Sequence, residues 1–497
     1  MHLKSFHSDS FLWAALVYFA AMACIGLFFC GKSKSVSDYL LGGRKLGAWV
    51  TSLSAEASDM SAWLLMGLPG FAYVAGGAAL WIVGGLIVGT YCNWKFIAGR
   101  LRAYTEIAGD SITIPDFLQK RFCSPSNTIK LISAVFIFFF FVIYVSSGFA
   151  AGGKLFSLIL PLTYRQAMLI SASVMIFYTF LGGFSAVCWT DALQGMLMFF
   201  AVIAVPILAI LYFGGVAPTA GLLSATGDNF LNPMFGTNNT KFGLGEIISM
   251  AAWGLGYFGQ PHILVRFMAI RSNDEIPLAR KIAMHWLTLS LVAAAAVGIL
   301  GNVWQEIRLS GGDVENIFIA MVGNMCPKFL TDVILLGVLA TIMSTTSSQL
   351  LVAASSFAGD IYGIAVRKNA SPRELLFVSR MAVLIVSVLS IALSMSPNTF
   401  ILDVVAYAWA GFGACLGPAL LFALFFRRTT ENGVLCGIIA GGLCVVIWKK
   451  FAFFNLYEIV PAFILSSAVI FIVSLMDRAP AQNILQKFDL ARQKTMG

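Results

Sequence analysis

The chain has 497 residues, of which 59% are hydrophobic and 11% are charged, and its mean hydropathy is +0.86. This composition excludes a water-soluble globular protein, because so apolar a chain has too few polar residues to cover a solvated surface. The net charge of +9 would suit a nucleic-acid-binding protein, but the basic residues lie between long apolar runs, so we expect a lipid bilayer and no nucleic acid as the partner.

Apolar runs of about 20 residues, the length that a helix needs to cross a bilayer, recur along the whole chain. From them we predict an all-α polytopic membrane protein with 13 transmembrane helices. The centres of these spans lie near residues 20, 60, 85, 140, 175, 200, 255, 293, 342, 387, 412, 440 and 467.

The first apolar run, residues 11–30, has two interpretations. A cleaved signal peptide would need a site with small side chains, and residues 21–23 offer one. However, Lys32 and Lys34 follow the run, whereas the charges of a signal peptide precede it. We therefore expect an uncleaved transmembrane helix and keep the signal peptide as the alternative.

The distribution of basic residues predicts the orientation in the membrane. If the N-terminus is outside, 24 of the 32 lysines and arginines fall on the other side. Such an excess is typical of cytoplasmic loops. We therefore predict an external N-terminus and a cytoplasmic C-terminus.

Two predicted spans contain helix-breaking residues. The second, residues 52–71, has two glycines and a proline near one end, and the seventh, residues 251–262, has three glycines and a proline. Unpaired backbone at membrane depth is tolerated only where it faces protein or a water-filled cavity. Close helix packing is the other reason for glycine in a membrane helix, and we expect it at four positions. They are Gly85, Gly89, Gly413 and Gly417.

The broken spans are the first members of two sets of five helices. Interrupted helices at matching positions of two halves indicate the binding site of a transporter. We divide the chain into six parts on this basis. They are an extra helix with a cytoplasmic loop (1–47), a first five-helix repeat (48–213), an external loop (214–244), a second five-helix repeat (245–426), two further transmembrane helices (427–476) and a cytoplasmic tail (477–497).

Asp59 is an acid in the middle of the second span. A carboxylate near the centre of a bilayer costs about 2.5 to 3.5 kcal/mol unless it is hydrated or paired, so we expect it to have a function. Ser54, Ser58 and Ser61 share one helix face with a spacing of four and then three residues. These hydroxyls line a polar face, or they bond back to their own helix.

The ninth span repeats this hydroxyl pattern. Thr341, Ser344, Thr345 and Ser348 lie at positions i, i+3, i+4 and i+7 of one helix. Hard cations prefer oxygen ligands, and hydroxyls beside an unwound segment with free carbonyls supply several of them. The pattern suits a monovalent ion, which must also be released easily.

Trp253 and Tyr257 lie one helical turn apart beside the glycines of the seventh span. They can form an apolar wall with a polar tip for a small amphipathic solute. The alternative is that they pack in the core or anchor the helix at the membrane interface.

The chain has no recognisable catalytic constellation. Residues 26–33 match a phosphate-loop pattern, but the match closes an apolar run and no strand precedes it. No motif combines a nucleophile, a base and an orienting acid. We therefore expect that the chain is not an enzyme.

Four long motifs strongly resemble the solute:sodium symporter family, and in particular its members that carry proline. They are SAEASDMSAWLLMGLPG (54–70), WTDALQGMLMF (189–199), WGLGYFGQPHILVRFMA (253–269) and ATIMSTTSSQLLV (340–352). The resemblance extends from about residue 40 to about residue 463. It implies a leucine-transporter-like core of five plus five helices in inverted repeat, with the first and sixth core helices broken. It also implies symport of one Na⁺ with one L-proline, by a monomer, across a bacterial cytoplasmic (inner) membrane.

The resemblance further implies which residues bind. Sodium would be held by the backbone carbonyls of Ala57, Met60 and Thr341 and by the hydroxyls of Ser344 and Thr345, with Asp59 close by. Proline would meet Ser61, Trp63, Tyr144, Trp253, Tyr257 and Pro261. Asp191 would be the inner-side acid on the sodium exit path.

The chain departs from the proline-carrying members at three positions. Glu56 and Ala62 stand where those proteins have glycine, and Thr341 stands where they have alanine. Glu56 places a second acid three residues before Asp59, and it either affects coupling or is kept neutral or hydrated. Two other functions stay open, namely symport of a different small solute with sodium and a membrane sensor that does not transport.

Overall fold

The computed structural model describes residues 8–30, 41–181, 183–227, 229–236, 239–304, 306–367, 370–396 and 400–496. Within these ranges the regular structure is helical, and the only extended pairing consists of two isolated bridges, Leu46 to Ile270 and Phe235 to Lys241. The predicted all-α class is therefore confirmed.

The described segments form twenty α-helices, some of which continue through tighter or wider helical turns. The α-helices are α1 (Ser8–Cys30), α2 (Ala48–Asp59), α3 (Leu68–Ala75), α4 (Ala79–Cys92), α5 (Ala98–Ile107), α6 (Ile114–Arg121), α7 (Thr128–Ile159), α8 (Tyr164–Leu181), α9 (Phe184–Tyr212), α10 (Val216–Ser224), α11 (Leu244–Ala251), α12 (Pro261–Ala269), α13 (Ile276–Val303), α14 (Ile317–Met325), α15 (Lys328–Ser356), α16 (Pro372–Leu393), α17 (Ile401–Phe425), α18 (Glu431–Phe451), α19 (Ile459–Met476) and α20 (Gln482–Met496). Wider π-helical turns occupy Trp63–Gly67, Asn93–Ile97 and Phe357–Val366, and 3-10 turns occupy Gly42–Arg44, Gly76–Ala78, Ala252–Gly259, Asn273–Glu275, Gly311–Asn316 and Phe453–Asn455.

Ten helical segments of the described chain are long and apolar enough to cross a membrane. Every predicted span centre falls in a helix or in the break between two, so the helical segments are where the sequence placed them. The first half of the second span, the seventh span and α8 lie outside the ten, and the second half of the second span is joined to the third span in one segment, Trp63–Ile107. The total of 13 therefore stays a prediction.

The outside of the bundle is apolar, as a lipid solvent requires. Large hydrophobic side chains such as Phe177, Val388 and Ile464 are exposed. Helix α1 packs on α8, α9 and α15, and Gln194 of α9 donates a hydrogen bond to the Tyr18 hydroxyl at 2.6 Å. The uncleaved interpretation of the first run stays a prediction.

The interruption of the second span lies earlier than its glycines and proline. Helix α2 ends at Asp59, and Met60 leaves helical geometry with φ −73° and ψ 79° before the chain resumes at Trp63. Pro69 lies in the first turn of α3, where the missing N–H removes no helical hydrogen bond. Gly70 instead allows close packing, because a Cβ there would lie 3.0 Å from the Cα of Glu315.

The seventh span is broken where its glycines predict. A 3-10 turn, Ala252–Gly259, follows α11, and Gln260 is extended with φ −76° and ψ 106°. Pro261 then begins α12 at the position where proline is most easily accommodated. The prediction of two broken helices is thus confirmed.

The glycines expected to serve close packing do so against this second break. A Cβ on Gly85 would lie 2.1 Å from the Ala251 carbonyl oxygen, and one on Gly89 would lie 2.2 Å from that of Gly254. On the opposite side, a Cβ on Gly413 would come within 2.9 Å of the Gly256 Cα. Helices α4 and α17 therefore touch the broken segment backbone to backbone.

The two broken helices lie side by side at the centre of the bundle. Helix α2 packs on α9, α12, α13 and α15, and the 3-10 turn packs on α4 and α17. This arrangement places the free backbone groups of both breaks among protein. The residue boundaries of the six predicted parts stay a prediction.

One end of the bundle is closed by a buried ion pair. The Lys154 ammonium of α7 lies 2.8 Å from the Glu315 carboxylate, which precedes α14. The same carboxylate accepts hydrogen bonds from the backbone N–H groups of Ile401 and Leu402, each at 3.0 Å, at the start of α17. Three elements that are distant in sequence thus meet at one acid.

The other end carries α20, which lies within the predicted tail. Its Phe488 side chain is buried against the Tyr104 ring, with centroids 6.3 Å apart. Arg427 pairs with Asp489 through two hydrogen bonds of 2.9 and 3.0 Å, and this pairing holds the pKa of Asp489 below its usual value. Lys494 pairs with Glu106 at 3.1 Å. The helix therefore docks on α5 and on the end of α17.

Two adjacent glycines of α4 test the backbone contact with the broken segment. We expect Gly85→Ala to destabilise the protein by several kcal/mol, because the new methyl group would meet a backbone oxygen that cannot rotate away. Gly84 has open space around its Cβ position, so Gly84→Ala should be neutral or stabilise by up to about 1 kcal/mol. The midpoint of thermal unfolding in detergent measures both, and equal midpoints would contradict the contact.

Candidate functional site

The break after α2 places free carbonyl groups next to the hydroxyl stripe of α15. The Ala57 carbonyl oxygen accepts a hydrogen bond from Ser344 Oγ at 2.8 Å and one from Thr345 Oγ1 at 3.2 Å. Ser344 Oγ is also 3.1 Å from the Thr341 carbonyl oxygen. The last carbonyls of a helix have no helical partner and carry partial negative charge, which favours a cation.

The oxygens gathered here fit a small monovalent cation. Two backbone carbonyls and two hydroxyls supply ligands without a full charge, and the hydroxyls can turn their lone pairs to an ion by rotating. Four of the five predicted sodium ligands, Ala57, Thr341, Ser344 and Thr345, are therefore brought together. Met60 forms the break itself, and the binding of sodium by its carbonyl oxygen stays a prediction.

The two hydroxyl rows have mixed roles. Thr341 Oγ1 bonds back to Gly337 O at 2.7 Å, and Ser58 Oγ bonds back to Ala55 O at 2.9 Å, as the alternative reading of both rows allowed. Ser54 and Ser348 face neither the ion site nor their own helix but an acid on α9. Only part of each row therefore lines the candidate ion site.

Asp59 links the two broken helices. Its carboxyl Oδ2 accepts a hydrogen bond of 2.6 Å from the Tyr257 hydroxyl, and its backbone oxygen accepts one of 3.0 Å from Trp63 Nε1. Its Oδ1 is buried and has no hydrogen-bond partner among the described residues. A buried carboxylate oxygen is free at this point to attract a positive charge.

Glu56 lies one turn before Asp59 and is 2% exposed. Its Oε1 accepts a hydrogen bond of 3.1 Å from Trp94 Nε1, while its Oε2 has no hydrogen-bond partner in the described part of the chain. The second acid is thus buried and held by Trp94 in the turn that continues α4. Among the described residues, no lysine or arginine forms an ion pair with Glu56.

The predicted solute residues form an aromatic wall beside the first break. The rings of Trp63 and Trp253 have centroids 6.2 Å apart. The Tyr144 hydroxyl is buried near Ser61 and Trp63 and has no hydrogen bond of ordinary geometry among the described residues. Tyr257 completes the group through its bond to Asp59. Five of the six predicted solute residues therefore lie near one another, and their contact with a solute stays a prediction.

Pro261, the sixth predicted residue, lines a small crevice. The crevice has a volume of about 20 Å³, and Ile112, Phe184, Val265 and Ser355 line it too. The contact of Pro261 with the solute stays a prediction.

Two aromatic residues of the wall were missed by the sequence analysis. Trp409 of α17 donates a hydrogen bond of 2.8 Å to the Trp253 carbonyl oxygen, and its ring meets the Tyr257 ring edge-on at 5.1 Å. Tyr457 stacks on Trp253 at 5.7 Å. One feature of the sequence indicates that Trp409 lies in a closely packed helix. Gly411 and Gly413 follow it, and small residues allow helices to approach closely.

Asp191 forms a buried ion pair that the sequence analysis also missed. Its Oδ2 lies 3.0 Å from Arg266 Nη2 and accepts hydrogen bonds of 2.9 Å from Ser54 and from Ser348. The side chains of Asp191 and Arg266 are both 0% exposed. Arg266 is one of the 24 basic residues that the sequence analysis assigned to the cytoplasmic side, but it lies on α12 and is buried inside the protein. The role of Asp191 on the sodium exit path stays a prediction.

The chain is similar to known proteins over most of its length. The model of the sodium:solute symporter family matches residues 39–441. The high-affinity proline transporter of Bacillus subtilis is 45% identical over 94% of this chain and 98% of its own. The sodium/proline symporter of Escherichia coli is 43% identical over 95% and 94%, and that of Haemophilus influenzae is 40% identical over 98% and 99%.

Solved structures share the fold. A sodium-coupled sialic acid symporter in an outward-open state superposes with a TM-score of 0.80 at 17% identity, over 96% of this chain and 99% of the other. A transporter of the nucleobase-cation-symport-1 family gives 0.54 at 12% identity, over 91% and 98%. Together with the two broken helices, this likeness confirms the predicted leucine-transporter-like core.

Four substitutions on α15 test the ion site. We expect Ser344→Ala and Thr345→Val to raise the half-saturating sodium concentration about tenfold each, because each removes one oxygen that would contact the ion. Ser347→Ala and Thr346→Val are matched controls, since those hydroxyls bond back to their own helix. Titration of purified protein with sodium, followed by tryptophan fluorescence, gives the midpoints. If the control pair shifts the midpoint as much as the test pair, the hydroxyls of α15 serve helix packing and do not bind the ion.

The buried pair of Asp191 and Arg266 predicts a loss and a recovery of stability. Asp191→Ala leaves a buried guanidinium without its partner and should cost about 3 to 5 kcal/mol. The double variant Asp191→Leu with Arg266→Met should recover much of this loss, because two apolar side chains replace two charges. Thermal unfolding in detergent measures both, with Asp489→Ala at the exposed pair as a control that should change little. A double variant less stable than Asp191→Ala would refute the pairing.

Proposed function

Because this chain belongs to the sodium:solute symporter family, with sodium as the coupling ion, we propose that it imports L-proline together with one sodium ion by alternating access. The observation that carries the proposal is the contact of Ser344 and Thr345 with the Ala57 carbonyl beside an aromatic wall. The names of the similar proteins from B. subtilis, E. coli and H. influenzae point to proline as the solute.

The aromatic wall has the chemistry that proline needs. Proline has an apolar five-membered ring and a charged amine and carboxylate. Trp63 and Trp253 offer flat apolar faces, and Ser61 and Tyr144 bring polar groups to the same space. A pocket with an apolar wall and few polar groups is the usual design for a small amphipathic ligand.

Sodium and proline can be coupled without touching each other. An ion between α2 and α15 would fix the end of α2, and the next residues after that end are Met60 and Ser61 at the break. Asp59 extends the effect to the second broken helix through Tyr257. Sodium would therefore favour the one arrangement of both breaks that binds proline, which is a shift of conformational population.

The proposed stoichiometry sets the accumulation that the protein can sustain. Proline is a zwitterion, so one turnover moves one net positive charge, which is worth about 2.3 kcal/mol at 100 mV. A tenfold sodium gradient adds about 1.4 kcal/mol. The sum of about 3.7 kcal/mol corresponds to a several-hundredfold accumulation of proline.

The placement in the cell belongs to the same proposal. The basic residues favour a periplasmic N-terminus and a cytoplasmic C-terminus in a bacterial inner membrane. The described chain encloses the candidate site within one subunit, which supports function as a monomer.

Uptake of labelled proline into proteoliposomes tests the proposal. With a potassium diffusion potential, inside negative, we expect accumulation with external sodium and little when choline replaces sodium at the same potential. Accumulation that is insensitive to this replacement would refute sodium coupling. The sodium ionophore monensin, added after loading, should release part of the proline, because it collapses the sodium gradient and leaves the potential in place.

Two further outcomes identify the rival functions. If another amino acid or a small carboxylate displaces labelled proline more effectively than unlabelled proline does, the transported solute is that compound and not proline. If proline binds in a sodium-dependent manner but no labelled proline enters vesicles, the chain is a sensor.

A further inference from the structure

His262 is a buried histidine that the sodium and aromatic sites do not use. It is the second residue of α12, directly after Pro261, and its side chain is 0% exposed. Neither ring nitrogen has a hydrogen-bond partner among the described residues. A buried polar group without a partner destabilises the fold, so such groups are rare outside functional positions.

The surroundings of His262 place it at the edge of the candidate solute site. Its ring meets the Tyr144 ring edge-on, with centroids 6.0 Å apart, and the Phe141 ring at 5.8 Å. Tyr144 is the residue whose hydroxyl lies near Ser61 and Trp63 and is itself without an ordinary hydrogen bond in the described segments. Two unsatisfied polar side chains therefore sit together.

The two groups differ in chemistry from those on the other side of the site. An imidazole offers an N–H donor in either protonation state, and a phenol offers an O–H donor. On the first broken helix, the unsatisfied atom is Asp59 Oδ1, which is an acceptor when ionised. Arg266, whose Nη1 donates a hydrogen bond of 2.6 Å to the His262 carbonyl oxygen, is already paired with Asp191. The unsatisfied side chains are thus one acceptor and two donors.

We propose that His262 determines specificity for a carboxylate, by donating a ring N–H to the carboxylate of the transported solute, with the Tyr144 hydroxyl as a second donor. The proposal rests on the proposed function, since it assigns one end of proline to one residue. A zwitterion aligned in this way places its carboxylate away from Asp59. Loss of a hydrogen bond to a charged group lowers affinity by about ten- to a hundredfold.

The alternative is that His262 only fills space between two aromatic rings. Three variants separate the two roles. His262→Phe keeps an aromatic ring and removes both nitrogens. His262→Asn keeps an N–H near the place of Nδ1, and His262→Gln keeps one near the place of Nε2, so one of them should restore the donor.

His285 provides a matched control. It lies on α13, is exposed, and its Nδ1 is 2.7 Å from the carbonyl oxygen of Lys281 in its own helix. His285→Phe makes the same chemical change at a position that faces neither the aromatic wall nor the ion site. It should leave all the measured constants at their wild-type values.

The experiment measures inhibition of labelled proline uptake in proteoliposomes by unlabelled proline and by prolinamide, which has no carboxylate. For His262→Phe we expect at least a tenfold rise in the half-saturating proline concentration. The inhibition constant of prolinamide and the half-saturating sodium concentration should stay within about twofold. Either His262→Asn or His262→Gln should return the proline constant to within about threefold of wild type.

Each contrary result has a defined meaning. An unchanged proline constant in His262→Phe, or an equal loss for proline and prolinamide, overturns the assignment of the carboxylate to His262. If His262→Phe does not reach the membrane, His262→Asn and His262→Gln are compared instead. If both of these variants bind proline and prolinamide more weakly than the wild type does, the assignment of the carboxylate to His262 is overturned. Absence of proline uptake by the wild-type protein would instead refute the proposed function, and the assignment with it.

Discussion

The contact between the end of α2 and the hydroxyls of α15 is the interaction on which the site depends. A helix that stops inside a membrane leaves carbonyl oxygens that lipid cannot satisfy. Here Ser344 and Thr345 satisfy the Ala57 carbonyl from a helix nearly three hundred residues later in the chain. The same oxygens that make the break tolerable are those that a sodium ion would take over.

The buried charges follow one pattern, in which an acid of one helix is held by groups of another. Asp59 is bonded to Tyr257, Asp191 to Arg266 and Glu315 to Lys154. Each contact joins elements that are far apart in sequence. Buried pairs contribute little net stability compared with apolar packing, but they fix which surfaces meet. In a protein that changes shape, such contacts can be made in one arrangement and exchanged for others in the next.

Much of this site could be predicted from the sequence because its residues are costly or periodic. Asp59 stands out as an acid in an apolar run, and the α15 hydroxyls repeat with the period of a helix. The glycines of the seventh span located its break, whereas the break of the second span falls at Met60, which has no such mark. There the tertiary packing of α2 overrides local preference.

The residues that could not be predicted owe their roles to packing between distant segments. Arg266 resembles any basic residue near the end of a span until Asp191 is seen beside it. Trp409 and His262 gain meaning only from the rings around them. The number of spans likewise depends on how short half-helices are counted, which composition does not determine.

The backbone contact of Gly85 and Gly89 with the second broken segment has a mechanical consequence. With no side chains between them, α4 and that segment leave no gap, so neither can move toward the other without displacing it. Helix α5 continues α4, and α20 rests on α5 through Phe488. These contacts run without interruption from the second broken segment to the C-terminal helix, so a movement of that segment toward α4 would displace α20 as well.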